Sequence, residues 1–241
     1  MKILCIADQI DPLVYTDTIK SRFRNVDLIL SAGDLPFDYL DFVVSSLNRP
    51  LLFVFGNHHL DKYESYRIKD PPPDFGKAGA FSAGLTHIGS SVCSEGGLLI
   101  AGLGGSMRYN RGPNQYTEGQ MLFEIWKLFP RLLFNRIVRG RWLDILLTHA
   151  APWGIHDKAD PCHRGFKCFL WFMKTFKPRY LIHGHIHLYD LADIRTTRYE
   201  KTTVINAYSQ YLITVEHDPD HDAKEKNTGK KDARRGTHGQ D

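Results

Sequence analysis

Three short apolar runs near the start of the chain, separated by helix-length segments, restrict the fold more than any other feature. Residues 3–7 read Ile-Leu-Cys-Ile-Ala, residues 28–31 Leu-Ile-Leu-Ser and residues 51–55 Leu-Leu-Phe-Val-Phe. None alternates polar with apolar, so each is expected to be a strand buried on both faces, as strands are in a parallel sheet. Between them, residues 16–23 place Ile19 and Phe23 four apart, and residues 37–47 are also helical in pattern. A strand–helix–strand–helix–strand order implies a parallel unit with right-handed crossovers. In such a sheet the carboxy-terminal strand ends share one edge, and ligands bind outside it.

The residues just beyond each strand are therefore informative. The first run leads into Asp8, the second into Gly33-Asp34, the third into Gly56-Asn57-His58-His59. Further along, residues 144–148 read as a strand leading into His149, and residues 180–182 as one leading into His183-Gly184-His185-Ile186-His187. Convergence of these ends would gather two carboxylates, an amide and several imidazoles, borderline oxygen and nitrogen donors suited to manganese, iron or zinc. Singly, most have a bland reading. Asp8 could cap a helix, Gly33-Asp34 could be a turn, Gly56-Asn57-His58 could be a turn with satisfied side chains, and His149 could be an ordinary hydrogen-bonded histidine. His185 and His187 stand apart, because alternation along a strand would point both the same way. In this order, each at a strand end, the set points to one metal-binding edge.

In that order the residues resemble the signature of the calcineurin-like metallophosphoesterases: Asp-x-His, Gly-Asp, Gly-Asn-His followed by an acid, a later His, and Gly-His-x-His. The resemblance spans residues 1–215. It implies a four-layer α/β/β/α sandwich of two mixed sheets with helices outside, and a two-metal site. By position Asp34 would bridge the ions, Asn57, His149 and His185 would complete one site, and Asp8 and His187 would serve the other. His58 would contact the phosphate or protonate the leaving group. The implied activity is hydrolysis of a phosphodiester or phosphomonoester, a small-molecule substrate attacked in line by a metal-bound hydroxide. Two ions about 3.5–4 Å apart can orient phosphorus and neutralise the developing charge. The ions would be divalent, manganese foremost, with iron, zinc or magnesium as the other candidates.

Two positions depart from the pattern. Ile10 stands where the first motif has its histidine, and His59 where an acid is usual. The site served by Asp8 and His187 is therefore one ligand short. Asp11 could substitute, or could simply start the following helix together with Pro12. One ion or two, or a catalytically silent scaffold for protein interaction, could each follow from Ile10.

Two polar stretches would lie at the rim of such a site. In residues 154–165, His163 and Arg164 could grip a phosphate, or Asp160 and Pro161 could only start the helix expected over 166–176. Residues 108–116 offer further aromatic and guanidinium groups. Residues 121–138 have a helical pattern, with a break or kink expected at Pro130.

The segment 120–141 holds five basic residues and one acidic, a local +4 that matches the +4 of the whole chain. The overall charge therefore says little about nucleic acid, no recognisable nucleic-acid motif is present, and no such partner is expected. The same segment interleaves Leu122, Phe123, Trp126, Phe134 and Ile137 with its basic residues. It reads either as an ordinary outer helix or as a peripheral membrane contact, and the second would make a lipid phosphoester a fitting substrate.

The 241 residues suffice for one large domain, and 42% hydrophobic with 24% charged residues is ordinary for a globular protein. No apolar run reaches the length of a membrane span, so none is expected. Cys5, Cys93, Cys162 and Cys168 match no disulfide framework or common zinc knuckle, which makes the cytoplasm the expected compartment. Further strands are expected at 92–93, 98–101, 188–194, 202–205 and 211–215. Residues 216–241, with almost no apolar side chains, are expected to be a disordered tail.

Overall fold

A computed structural model of the chain describes residues 1–60, 84–190 and 192–216. The strands β1 (Lys2–Ala7), β2 (Leu28–Ser31), β3 (Leu51–Phe53) and β4 (Leu85–His87) pair in parallel. The last strand of the chain, β13 (Ser209–Thr214), adds antiparallel to the other side of β1, which gives the order β13-β1-β2-β3-β4. A second sheet is built from β5 (Ser91–Glu95), β6 (Leu98–Leu103), β9 (Ile145–Thr148), β10 (Tyr180–His183), β11 (Thr196–Tyr199) and β12 (Thr202–Asn206). Its order is β11-β12-β10-β9-β6-β5, antiparallel at both outer pairs and parallel within. A two-residue pair, β7 (Ser106–Met107) with β8 (Gln115–Tyr116), lies between β6 and β9 in sequence.

Strand alternation divides the apolar side chains among three cores. Ile3, Cys5 and Ala7 of β1 meet Ile100, Ile145, Leu147 and Ile182 of the second sheet, so this core fills the space between the sheets. Leu4 and Ile6 point the other way, onto Ile19 of α1 (Ile19–Arg22) and Leu40 and Val43 of α2 (Phe37–Leu47). Leu99, Ala101, Leu146 and Leu181 pack outward against α3 (Glu118–Arg139) and α4 (Lys167–Phe176). Helices, sheet, sheet and helices thus form the expected four layers. Burial on both faces explains why Ile3–Ala7 of β1 and Leu28–Leu30 of β2 are apolar throughout.

Three local expectations change. The first helix is only the four residues Ile19–Arg22, because Val14 and Tyr15 N–H groups return to the Asp11 carbonyl and hold the chain in turns before it. Helix α3 runs unbroken through Pro130. That residue lies on the exposed side of the helix. The strand expected at 188–194 is absent among the described residues there. Asp193 instead accepts the N–H groups of Tyr189 and Asp190, and Asp190 that of Ala192, which folds a turn ahead of β11. The tail expected over 216–241 lies outside the described residues except for Glu216.

Candidate metal centre

The functional side chains sit one to five residues beyond the strands, several of them on turns with unusual backbone angles. Asp8 after β1, Asp34 after β2 and His185 after β10 have φ of +64°, +56° and +67°. Non-glycine residues avoid this left-handed region, so three of them on one edge mark stored strain. Cross-links fix the turns to one another: Asp8 N–H donates to the Gly33 carbonyl at 3.1 Å, and Gly184 N–H to the His149 carbonyl at 3.0 Å.

The expected alternation of His185 and His187 does not occur. Strand β10 ends at His183, and the left-handed turn at His185 separates the two rings. His185 is buried beside His149, with ring centres 4.8 Å apart. His187 is half-buried, stacks 4.9 Å from Tyr208, and bonds through Nδ1 to the Tyr189 hydroxyl at 2.9 Å.

Asp34, His149 and His185 come together. Each offers one ligand atom, and these atoms lie within 4.8 Å of one another. His149 is wholly buried. Its Nδ1–H donates to the Ala32 carbonyl at 2.8 Å, so Nε2 is the nitrogen turned to the site, 3.1 Å from Asn57 Oδ1 and 3.3 Å from Asp34 Oδ2. A carbonyl fixing one ring nitrogen while the other faces ligands is the usual arrangement of a metal-binding histidine. Asp34 Oδ1 accepts the His58 N–H at 2.8 Å. His185 donates Nε2–H to the Cys162 carbonyl at 2.7 Å, which leaves Nδ1 with a lone pair.

The other expected residues lie around this group. Asp8 turns both carboxylate oxygens to the His185 N–H, at 2.9 Å each. Asp11 is engaged elsewhere: Oδ1 accepts Leu13 N–H at 2.7 Å, and Oδ2 accepts the Ser209 hydroxyl at 2.5 Å. Ile10 is 42% exposed. The His58 and His59 side chains are exposed at the mouth. His163 pairs with Asp160 at 2.9 Å, and its ring centre is 5.4 Å from that of His185. Asp160, Cys162 and His163 form a second set of donor atoms within 4.8 Å, at the rim. Arg164 is exposed and, among the described residues, reaches only the Ala159 carbonyl, at 3.5 Å.

Three supporting residues escaped the sequence reading. Asn114 is buried and donates its amide to the carbonyls of Phe55 (3.2 Å) and Gly56 (2.6 Å), holding the strand end that carries Asn57. His183 Nδ1–H donates to the Gly184 carbonyl at 2.9 Å. Its Nε2 accepts His156 Nδ1–H at 2.9 Å, and His156 Nε2 accepts the Thr197 hydroxyl at 2.8 Å. Burial drives both rings toward the neutral form, to about 3 for His183 and about 4 for His156. The available signal was His183 itself, a histidine ending an apolar strand.

The electrostatics test whether a cation fits. Burial, with the Asp34 charge added, lifts Asp8 to about 7 even though the His149 charge pulls it down. Burial also opposes ionisation of Asp34, yet the His149 charge and the His58 N–H outweigh it and hold this carboxyl below the ordinary range. Burial opposes protonation of His149, yet Asp34 and Asp8 lift it to about 9. The proton on His149 is therefore the local counter-charge. Burial and the neighbouring His149 push His185 to about 3, so its lone pair stays available. A divalent ion among Asp34, His149 and His185 would take the place of that proton and meet one carboxylate oxygen and two imidazole nitrogens, donors that suit manganese, iron or zinc.

Comparison with known proteins bears on the family and the fold. The family model of the calcineurin-like phosphoesterases matches residues 1–189. No curated protein matches in sequence. One solved structure superposes with a TM-score of 0.59 at 13% identity, covering 88% of this chain and 94% of its own. The structure of TT1561 of Thermus thermophilus gives 0.57 at 13% identity, covering 86% and 88%. At that identity the two likenesses establish the fold alone.

Proposed function

We propose, from the premise that this chain belongs to the calcineurin-like phosphoesterase family, that it hydrolyses small-molecule phosphate esters with a divalent ion held by Asp34, His149 and His185. The observation that carries this reading is the buried carboxylate–imidazole–imidazole group of Asp34, His149 and His185, whose ligand atoms lie within 4.8 Å of one another. Manganese fits these donors, and iron and zinc fit them too. Such an ion supplies Lewis acidity at a phosphoryl oxygen, charge neutralisation and a lowered pKa for water.

The chain's own residues have distinct tasks. Asp34, pinned by the His58 N–H, keeps a charged oxygen toward the site. Asn57 is the fourth donor, already against His149 Nε2 and steadied by the Tyr109 hydroxyl at 3.3 Å. His58, whose backbone N–H holds Asp34, carries an exposed imidazole that would meet the phosphate or return a proton to the leaving oxygen. Arg164 supplies positive charge, and His163 a hydrogen-bonding ring, at the rim for the ester's remaining oxygens. Asp8 braces the His185 turn with both oxygens, and the lone pairs they keep could serve a second ion shared with His187. One ion is the simpler reading. Four free cysteines are compatible with work in the cytoplasm.

A second reading rests on Ile10, which cannot bind metal: the fold would serve as a scaffold for protein interaction. Metal-stripped protein given manganese and an aryl phosphodiester or monoester separates the two, with His149→Ala as control. Turnover that needs manganese and disappears in the control supports the enzyme. A folded protein that neither retains manganese nor turns over either ester supports the scaffold.

A further inference from the structure

Helix α3 is apolar on two faces. Met121, Ile125, Leu128 and Leu132 are buried against the second sheet and α4. The outward side should then be polar, as it is on a helix that ends its packing there. Instead Phe123 is 63% exposed, Trp126 54%, Phe134 48%, Ile137 74% and Val138 56%. Single exposed apolar side chains are common, but a run of this size along one helix marks an interaction surface.

The charges on the same face define what it meets. The Lys127 ammonium lies 5.1 Å from the centre of the Phe123 ring, and the Arg131 guanidinium 5.2 Å from that of Phe134. Cations and aromatic rings therefore share one level, as they do where rings sit among headgroups and basic groups meet lipid phosphates. Glu124, the sole acid over 120–141, is turned to Lys127 and to the Ser90 hydroxyl. A second copy of the chain fits poorly, because a two-fold contact would set this basic face against itself. No described helix is long and apolar enough to cross a membrane, so contact would be interfacial.

We propose that the outward face of α3 docks the protein onto an anionic lipid bilayer. This inference is independent of the metal centre and of turnover. The first turn of α3 leads directly from the strand-end edge: Tyr116 bonds to Asn114, which holds the Gly56 carbonyl, and Glu118 accepts the N–H groups of Lys167 and Cys168. Docking along α3 thus begins beside the site.

Flotation of the full chain with vesicles tests it. One set is phosphatidylcholine alone and the other contains about 40% phosphatidylglycerol. The wild type should float with the anionic set, with binding that weakens as salt rises. Phe123→Ser/Trp126→Ser should abolish flotation, and Lys127→Gln/Arg131→Gln should weaken it roughly 30-fold, from two basic groups at the surface. These side chains are exposed, so circular dichroism should find both variants folded. Failure of the wild type to bind anionic vesicles at low salt overturns the proposal. Equal binding by the folded variants overturns it too. A concentration-dependent dimer without vesicle binding, lost in Phe123→Ser/Trp126→Ser, would assign the face to self-association instead.

Discussion

Adding one methyl group at Gly56 should damage the candidate centre while leaving the backbone path intact. A Cβ built there falls 2.0 Å from Asp34 Oδ1, 2.5 Å from its Cγ and 2.6 Å from His149 Cε1. Real contacts of this kind do not go below about 3 Å, so the carboxylate or the ring must move by about 1 Å. Neither moves freely. Asp34 Oδ1 holds the His58 N–H at 2.8 Å, and His149 is wedged between the Ala32 carbonyl and Asn57. Overpacking costs about 1–3 kcal/mol, and loss of a hydrogen bond to a charged group about 1.5–3 kcal/mol. Gly56 does not have a positive φ, so alanine's smaller unfolded-state entropy returns about 0.4–1 kcal/mol. Gly56→Ala should therefore be destabilised by about 1.5–5.5 kcal/mol in urea unfolding of the metal-free protein. In a calorimetric titration its affinity for manganese should fall on the order of 10- to 100-fold, as when ligand-orienting neighbours are disturbed. Gly119→Ala is the control: no atom lies within 4 Å of its added Cβ, it sits in the first turn of α3, and it should stabilise by up to about 1 kcal/mol. Wild-type stability together with wild-type manganese affinity in Gly56→Ala would refute the placement of Asp34 and His149.

Manganese at about 100 times its dissociation constant should raise the stability of the wild type by about 2.7 kcal/mol and that of His149→Ala by far less, measured by urea unfolding with and without the ion. The metal-free protein should be most stable near pH 6.5, the ordinary histidine value. Below it, His87, His156, His183 and His185, held neutral by burial to about 4, 4, 3 and 3, must charge on unfolding, so stability falls with pH; Asp8 at about 7 acts oppositely but is outnumbered. Above it, the stabilisation from protonated His149 is lost as pH rises through about 9. A urea midpoint flat from pH 5 to about 9 would contradict both limbs. His156→Ala should cost about 1–3 kcal/mol by leaving buried His183 Nε2 without a donor, and His156→Gln should recover part of it, by the same unfolding measurement.

Residues read from sequence and residues found only in the fold differ in kind. The short apolar runs at 3–7 and 28–31 and the polar residues directly after them were legible, because a doubly buried strand must be apolar and a ligand-binding edge must be polar. That local contrast determined the strands and the candidate ligands at Asp34, His149 and His185, whereas the four layers were implied by the family resemblance. Which ring faces which neighbour was not local. His185 and His187 look equivalent two residues apart, yet a left-handed turn buries one beside His149 and sends the other to Tyr208. Asp11 reads as a spare ligand, but Ser209, paired to it from 198 positions away, takes one of its oxygens. Asn114 and His156 carry no local signal, since each acts on a strand end that is distant in sequence. Helix α3 makes the same point for surfaces. Its composition allowed an ordinary outer helix, and only packing decided which apolar residues were used by the core and which were left facing out. Short-range pattern fixes what a segment prefers to be, whereas partners far apart in the chain are chosen by the three-dimensional fold, where side-chain contact and charge are settled.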